Sequence, residues 1–162
     1  MPISRFVVFY FPRRFPMKTF TLDEAQSLLP VLESLLKRAI EGKRQAEEAE
    51  SGLAETARRI YLSGGMKVDA ASVAKLRAEL QAHVQVAQES VAEIDSIGVQ
   101  VKNLEEGLLD FPCRLDDQAV PLCWRMGEPA IAHWHTADSG FKDRQPVDER
   151  FHRRSTPGSR PN

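Results

Sequence analysis

The region that decides the fold is a long, regularly patterned stretch near the start of the chain. Residues 20–50 read "FTLDEAQSLLPVLESLLKRAIEGKRQAEEAE". Thr21 is followed three residues later by Glu24, which is the spacing of a capping box, and Phe20 stands where a hydrophobic staple packs on Ala25. These signals predict a helix that begins directly after Thr21.

The apolar pattern then continues in steps of seven. Two lines of apolar or small residues share this spacing: Ala25, Leu32, Ala39, Ala46, Leu53 and Ile60, and beside them Leu28, Leu35, Gly42, Ala49 and Thr56. The pattern is that of a helical seam, and its small central residues allow a partner helix to approach closely.

A second ladder of the same kind supplies that partner. "SGGMKVD" (residues 63–69) interrupts the pattern, and Asp69 is a suitable N-cap for a new helix. The second helix is marked by Val73, Leu80, Ala87, Ile94, Val101 and Leu108, with Leu76, His83, Ser90, Ile97 and Leu104 beside them. Because the connection is short, we expect an antiparallel hairpin that ends near Gly107. Two helices bury only one seam, so the hairpin needs another layer or a second copy of itself.

Three short alternating segments follow the hairpin. They are separated by "DDQ" (residues 116–118) and "GEP" (residues 127–129), which are turn signals. The alternation predicts a core face formed by Phe111, Leu122, Trp124 and Trp134. The fold class is therefore α+β and mainly α: a long, coiled-coil-like antiparallel helical hairpin followed by a small three-stranded antiparallel β-meander.

The chain divides into four segments on this reading. We expect an N-terminal arm (1–18), a two-helix hairpin (19–106), a small sheet with a site-bearing loop (107–146) and a disordered basic tail (147–162). The arm is either flexible or lies upstream of a true start at Met17. Residues 1–18 and 150–162 are basic and hold no acid, so residues 19–149 carry all 23 acidic residues. This distribution argues against nucleic-acid binding beyond weak contacts of the ends.

Composition also indicates a location. Two cysteines do not form a disulfide framework, and no segment approaches the roughly 20 apolar residues that span a membrane. The apolar run "FVVFYF" (residues 6–11) is too short for the core of a signal peptide. We therefore expect a cytoplasmic protein without a membrane partner.

The face of the sheet opposite the core collects the residues that can carry chemistry. It gathers Asp110, Arg114, Cys123, Arg125, His133 and His135, and the following loop adds Asp138, Lys142, Asp143 and Arg144. From this inventory a metal site or an acid–base site can be assembled. Arg125 and Arg144 can instead clamp an anionic ligand.

The metal interpretation uses two imidazoles on one side of a strand. His133 and His135, with Cys123 and Asp110, are suitable ligands for zinc or iron. The alternative is that both histidines are half-exposed sheet residues paired with nearby acids. A catalytic Cys123 thiolate is a third alternative, although its neighbours Leu122 and Trp124 favour a buried structural thiol.

Three blocks of sequence together resemble a known family. They are "FTLDEAQSLLPVL" (residues 20–32), "GLLDFPC" (residues 107–113) and "LCWRMGEPAIAHWHTADSGFKDRQP" (residues 122–146). In this order they are similar to the bacterial "domain of unknown function 2203" family, over roughly residues 19–147. The resemblance implies a small cytoplasmic bacterial protein with no assigned activity. The family pattern more often has an aromatic residue at position 133, which weakens the two-histidine metal site.

Three functions remain open. The first is a non-enzymatic hairpin protein that forms a homo-oligomer or binds a partner protein. The second is a metal-dependent or acid–base enzyme centred on His135 with Asp110, Cys123 and Glu128. The third is weak nucleic-acid binding through the basic ends. No catalytic residue is assigned, and the candidate ligand site consists of Asp110, Cys123, Arg125, Glu128, His135 and Arg144.

Overall fold

Two long helices open the structure, a computed structural model that describes residues 18–65 and 69–152. Helix α1 spans Leu22–Leu62 and helix α2 spans Ala70–Ile97. The predicted capping box is confirmed: the Thr21 hydroxyl accepts from the Glu24 amide at 3.2 Å, and the Glu24 carboxylate accepts from the Thr21 amide at 2.9 Å. Asp69 caps α2, as expected, by accepting from the Ala71 amide at 3.1 Å.

The helices pack antiparallel along a seam of small residues. Gly42 of α1 lies against His83 and Ala87 of α2, whereas Gly52, further along α1, lies against Leu76, earlier in α2. A Cβ atom added at Gly42 would stand 3.0 Å from the carbonyl oxygen of His83 and 3.1 Å from the amide nitrogen of Ala87. This approach of two backbones therefore requires a residue without a side chain, and the predicted hairpin is confirmed.

Helix α2 ends earlier than the sequence predicted. The helical region was expected to continue to residue 106, but Gly98 takes a φ of 104°, a left-handed conformation that closes the helix after Ile97. The chain then extends as strand β1 (Gln100–Asn103). Val101 and Leu104 keep the spacing of seven, yet they pack on the core from a strand and a turn. The prediction of helix over residues 98–106 was wrong.

The sheet has five strands in the described residues, two more than predicted. After β1 come β2 (Leu108–Leu115), β3 (Gln118–Arg125), β4 (His133–Trp134) and β5 (Gln145–Pro146). The strands lie in chain order, and each pairs antiparallel with the next. Asp116 and Asp117 connect β2 to β3 with φ angles of 47° and 62°, the left-handed pair that a two-residue hairpin turn of type I′ requires.

One face of the sheet packs on one end of the hairpin. The predicted core face is confirmed, because its four members are all buried in a single cluster with α1 and the end of α2: Phe111, Leu122, Trp124 and Trp134, with Leu29, Leu32, Leu36 and Ile94. Phe20 joins the two layers. Its amide donates to the carbonyl of Pro112 at 2.7 Å, and its ring meets that of Phe111 edge-on.

The segment after residue 146 has more structure than expected. A short helix, α3, spans Glu149–His152, and its buried Phe151 packs against Trp134 with ring centroids 5.7 Å apart. The prediction of a disordered tail from residue 147 was therefore wrong for residues 147–152. Residues 153–162, like the arm before residue 18 and Met17 within it, lie outside the described residues. Over the described ranges, neither long helix has the apolar length needed to cross a bilayer.

Candidate functional site

The polar face of the sheet is organised in rows that cross the strands. The register aligns Asp110 of β2 with Cys123 of β3, and Cys123 with His133 of β4. On the other side of β2, Gln100 of β1 pairs with Asp110. Because side chains alternate between the two faces of a sheet, this row lies on the face opposite the helices.

A buried acid–imidazole pair occupies the middle of this face. The amide of His135 donates to the carbonyl of Pro121 in β3 at 3.1 Å, so His135 and Asp110 stand on opposite sides of β3. Their side chains meet across that strand, with Nε2 of His135 3.1 Å from Oδ2 of Asp110. Nδ1 of His135 lies 2.9 Å from the carbonyl oxygen of Thr136. The two side chains are 7% and 6% exposed.

The two partners of His135 determine how many protons the pair holds. A carbonyl oxygen only accepts, so Nδ1 carries a proton. A hydrogen bond between Nε2 and Oδ2 needs one further proton, held either by an imidazolium that faces a carboxylate or by a protonated acid that faces a neutral ring. The net charge of the pair is zero in both forms. Burial raises the pKa of Asp110, and attraction to His135 and Lys102 offsets this only in part.

These hydrogen bonds leave no ring nitrogen of His135 available as a metal ligand. Nδ1 of His133 is buried and has no hydrogen-bond partner among the described residues. Within residues 18–65 and 69–152, however, no three His, Cys, Asp or Glu side chains are grouped so that they can hold one ion. The set His133, His135, Cys123 and Asp110 therefore does not fit a zinc or iron site, which requires convergent, deprotonated ligands.

Cys123 is held as a neutral thiol. Its side chain is buried, and this burial, with the nearby charge of Asp110, raises the pKa of the thiol to about 11, although Arg144 acts in the opposite direction. Because the thiolate is the reactive form, a thiol with this pKa is a poor nucleophile near neutral pH.

A second polar group surrounds the ring of Phe141. Arg144 donates to Oε1 of Glu128 at 2.7 Å, and the amide of Arg125 donates to Oε2 of the same carboxylate at 3.0 Å. The guanidinium groups of Arg144 and Arg125 lie 4.2 and 5.6 Å from the centre of the Phe141 ring. Burial alone would raise the pKa of Glu128, but the hydrogen bonds from Arg125 and Arg144 outweigh it, so the pKa is lowered. Arg144 therefore already binds an internal carboxylate.

A cleft of about 420 Å³ opens beside the Asp110–His135 pair. Lys102 stands at its edge, with Nζ 3.7 Å from Oδ2 of Asp110. Lys102 is the extra residue of a bulge, since Val101 pairs with Leu109 and Asn103 with Leu108. Apolar side chains form much of the remaining wall: Leu108, Pro112, Ala119, Val120, Pro121, Ala137 and Phe141.

The structure thus places the six candidate residues in two groups. Asp110 and His135 meet in the cleft, Arg125, Glu128 and Arg144 gather around Phe141, and Cys123 lies between the groups. Three residues at these places were missed: Gln100, Lys102 and Phe141. The signal for the first two was present in "GVQVK" (residues 98–102), where a glycine is followed by apolar–polar alternation.

Comparison with known proteins adds a family and no activity. The family described as "Uncharacterized conserved protein (DUF2203)" matches residues 18–147, which include both helices, all five strands and both polar groups. No curated protein and no solved structure matches the chain. The chain therefore belongs to the DUF2203 family of uncharacterized conserved proteins.

Proposed function

We propose that this protein is an interaction protein whose helical hairpin pairs with that of a second copy. The supporting observation is a contrast in burial along the hairpin. Near the sheet, the seam contains fully buried residues such as Leu32, Leu36 and Ala39. In the outer half of the hairpin, defined as residues 50–62 of α1 and 70–83 of α2, no side chain is fully buried.

The outer half keeps apolar residues that two helices alone do not cover. Its ladder positions remain half-buried: Leu53, Thr56, Ile60, Val73, Leu76, Leu80 and His83. At the end of α1, Tyr61 and Leu62 are 85% and 66% exposed. Two such hairpins placed side by side bury these residues in a four-helix arrangement, the usual way for paired helices to complete a core. A second copy is the simplest partner, because closed homodimers are the commonest soluble oligomers.

The state of the polar face favours this proposal over the enzyme hypothesis. Both ring nitrogens of His135 are hydrogen-bonded, and the thiol of Cys123 has a raised pKa. A general base needs a free lone pair and a nucleophile needs its ionised form. Nucleic-acid binding through the ends gains no support from Arg150, a basic residue that pairs with Asp148 at 2.7 Å.

The mass of the full chain in solution tests the proposal. Light scattering at tens of micromolar should give twice the chain mass of 18.2 kDa. The double variant Tyr61→Lys/Leu62→Lys should raise the dissociation constant at least about tenfold, because it places two charges where apolar contacts form. These side chains are exposed, so the fold of each chain tolerates the change.

Val31→Lys is the matched control. Val31 is also an exposed apolar residue of α1 (53% exposed), but it lies at the sheet end of the helix. We expect this variant to dimerise like the unmodified protein. A monomeric unmodified protein would overturn the proposal, and so would a dimer that the double variant leaves intact.

A further inference from the structure

The cleft beside the Asp110–His135 pair is lined by residues of the sheet and of its following loop, and by none of the two long helices. We propose that the cleft beside the Asp110–His135 pair binds a small organic monoanion with an apolar body, with Lys102 contacting the anionic group. Its volume of about 420 Å³ lies within the range of pockets that hold small molecules, roughly 300–1,000 Å³.

The charge of the ligand follows from the charges that line the cleft. Lys102 contributes one positive charge. As long as one proton joins Nε2 of His135 to Oδ2 of Asp110, these two residues together contribute no net charge. The other lining residues are uncharged. The wall therefore has a net charge of +1, which one carboxylate neutralises. A cation would be repelled, and a polyphosphate would leave charge unpaired.

The apolar walls of the cleft favour a ligand with an apolar body. Pro112 and Pro121 are paired on neighbouring strands, and both line the cleft, as does Phe141 from the loop. These surfaces offer no side-chain hydrogen bond, so an aromatic or aliphatic group gains most there by leaving water. The buried pair adds little direct binding, because its ring nitrogens already have partners.

Lys102 lies where its ammonium group can contact a ligand carboxylate instead of Asp110. Its side chain is 43% exposed, and its Nζ lies 3.7 Å from Oδ2 of Asp110, which is beyond a normal hydrogen bond. A ligand carboxylate that approaches from the cleft can therefore form a close contact with this ammonium group while the Asp110–His135 bond stays in place. The bulge in β1 places Lys102 at this edge of the cleft.

A pair of probes of equal shape tests the charge preference. The full chain is titrated with 3-phenylpropanoate and with its neutral amide, 3-phenylpropanamide, and amide chemical shifts are followed by NMR. We expect saturable shifts around Lys102, Asp110 and His135, and an affinity about fivefold higher for the carboxylate, the size of a partly exposed charge pair. Equal affinities, shifts confined to other regions, or no shift by on the order of 10 mM carboxylate would overturn the proposal.

Three variants test whether Lys102 supplies the positive charge that binds the ligand carboxylate. Lys102→Met keeps the length of the side chain and removes its charge, so it should abolish the preference for the carboxylate. Lys102→Arg keeps the charge and should retain the preference. Lys142→Met removes an exposed lysine next to Phe141 that does not line the cleft, and should bind as the unmodified protein does. A carboxylate preference that survives Lys102→Met would show that another group binds the anion.

Discussion

Asp110 is a buried acid that holds its proton more tightly than an exposed one. It is 4% exposed, and among the described residues His135 and Lys102 offer it compensating charge at close range. Desolvation disfavours the carboxylate more than these two neighbours stabilise it, so the pKa of Asp110 is raised. The pair is thus a place where protonation and stability are coupled.

The titration of Asp110 checks this coupling. We expect its carboxyl carbon, followed by NMR, to titrate above the usual value of about 3.9. Because the folded pKa exceeds the unfolded one, the contribution of Asp110 to stability is complete below about pH 4 and is lost as the pH rises through the folded pKa. The free energy of unfolding should therefore fall with rising pH relative to that of Asp110→Asn.

Asp148 provides the internal control for that titration. Hydrogen bonds from Arg150 lower the pKa of this exposed carboxyl, so it should titrate below the usual range in the same experiment. A midpoint for Asp110 at or below that of Asp148 would contradict the assignment of burial as the dominant effect.

The sequence identified part of this site for a clear physical reason. Strict alternation places Asp110 and Cys123 on one face whatever the length of the strands, so their side was predictable. The contact between Asp110 and His135 was not, because it spans β3 and depends on His135 leaving β4 at Trp134. Pairing of Arg144 with Glu128 likewise depends on the path of the loop after residue 135.

Among the elements, the hairpin is governed by the closest approach of its helices. A Cβ atom added at Gly42 would stand 3.0–3.1 Å from backbone atoms of α2, whereas one added at Gly52 would stand 3.7 Å from the side chain of Leu76. Both glycines stand inside the same helix. Substituting each of them by alanine therefore separates two effects on the free energy of unfolding: the gain in helix propensity, which both share, and the change in packing, which differs.

Gly42→Ala and Gly52→Ala should change stability in opposite directions. At Gly52 the added methyl group meets ordinary contacts, and the free energy of unfolding should rise by about 0.5–1 kcal/mol through better helix propensity. At Gly42 the helices must separate, so stability should fall despite the same propensity gain. Urea unfolding of both variants measures the difference, and an equal gain in the two would contradict the close approach.

The sequence predicted this hairpin well and its end poorly. Seven-residue spacing is a strong signal because it repeats five times in each ladder, and the structure confirms it as far as Ile97. Val101 and Leu104 continue the spacing by coincidence, since they also pack on the core from β1 and its turn. Gly98 and the short alternation of residues 99–102 marked the true boundary, but a glycine in a helical pattern has more than one explanation.

In the molecule as a whole, buried side chains are distributed unevenly. The sheet and the adjoining half of the hairpin share one buried cluster, whereas the outer half contributes no fully buried side chain. Regions with few buried apolar contacts open at lower free energy and exchange their amide hydrogens faster.

Hydrogen exchange should reproduce this division. In the Tyr61→Lys/Leu62→Lys variant, which we expect to be monomeric, amides of residues 53–62 and 70–80 should exchange faster than those of residues 109–124. In the unmodified protein, protection of the outer half should increase with concentration as dimers form. Uniform protection along α1 in the monomeric variant would contradict an uneven distribution.

Because the sheet packs on one end of the hairpin, a small tilt of α1 at that end produces a large displacement at its other end. About 38 Å of helix separates Leu36, in the core, from Tyr61, at the far end, at 1.5 Å per residue. A tilt of about 5° at the core would carry Tyr61 through roughly 3 Å. In the dimer that we propose, such a tilt would let the far end adjust to the second copy, while the strands that carry Asp110 and His135 keep their spacing.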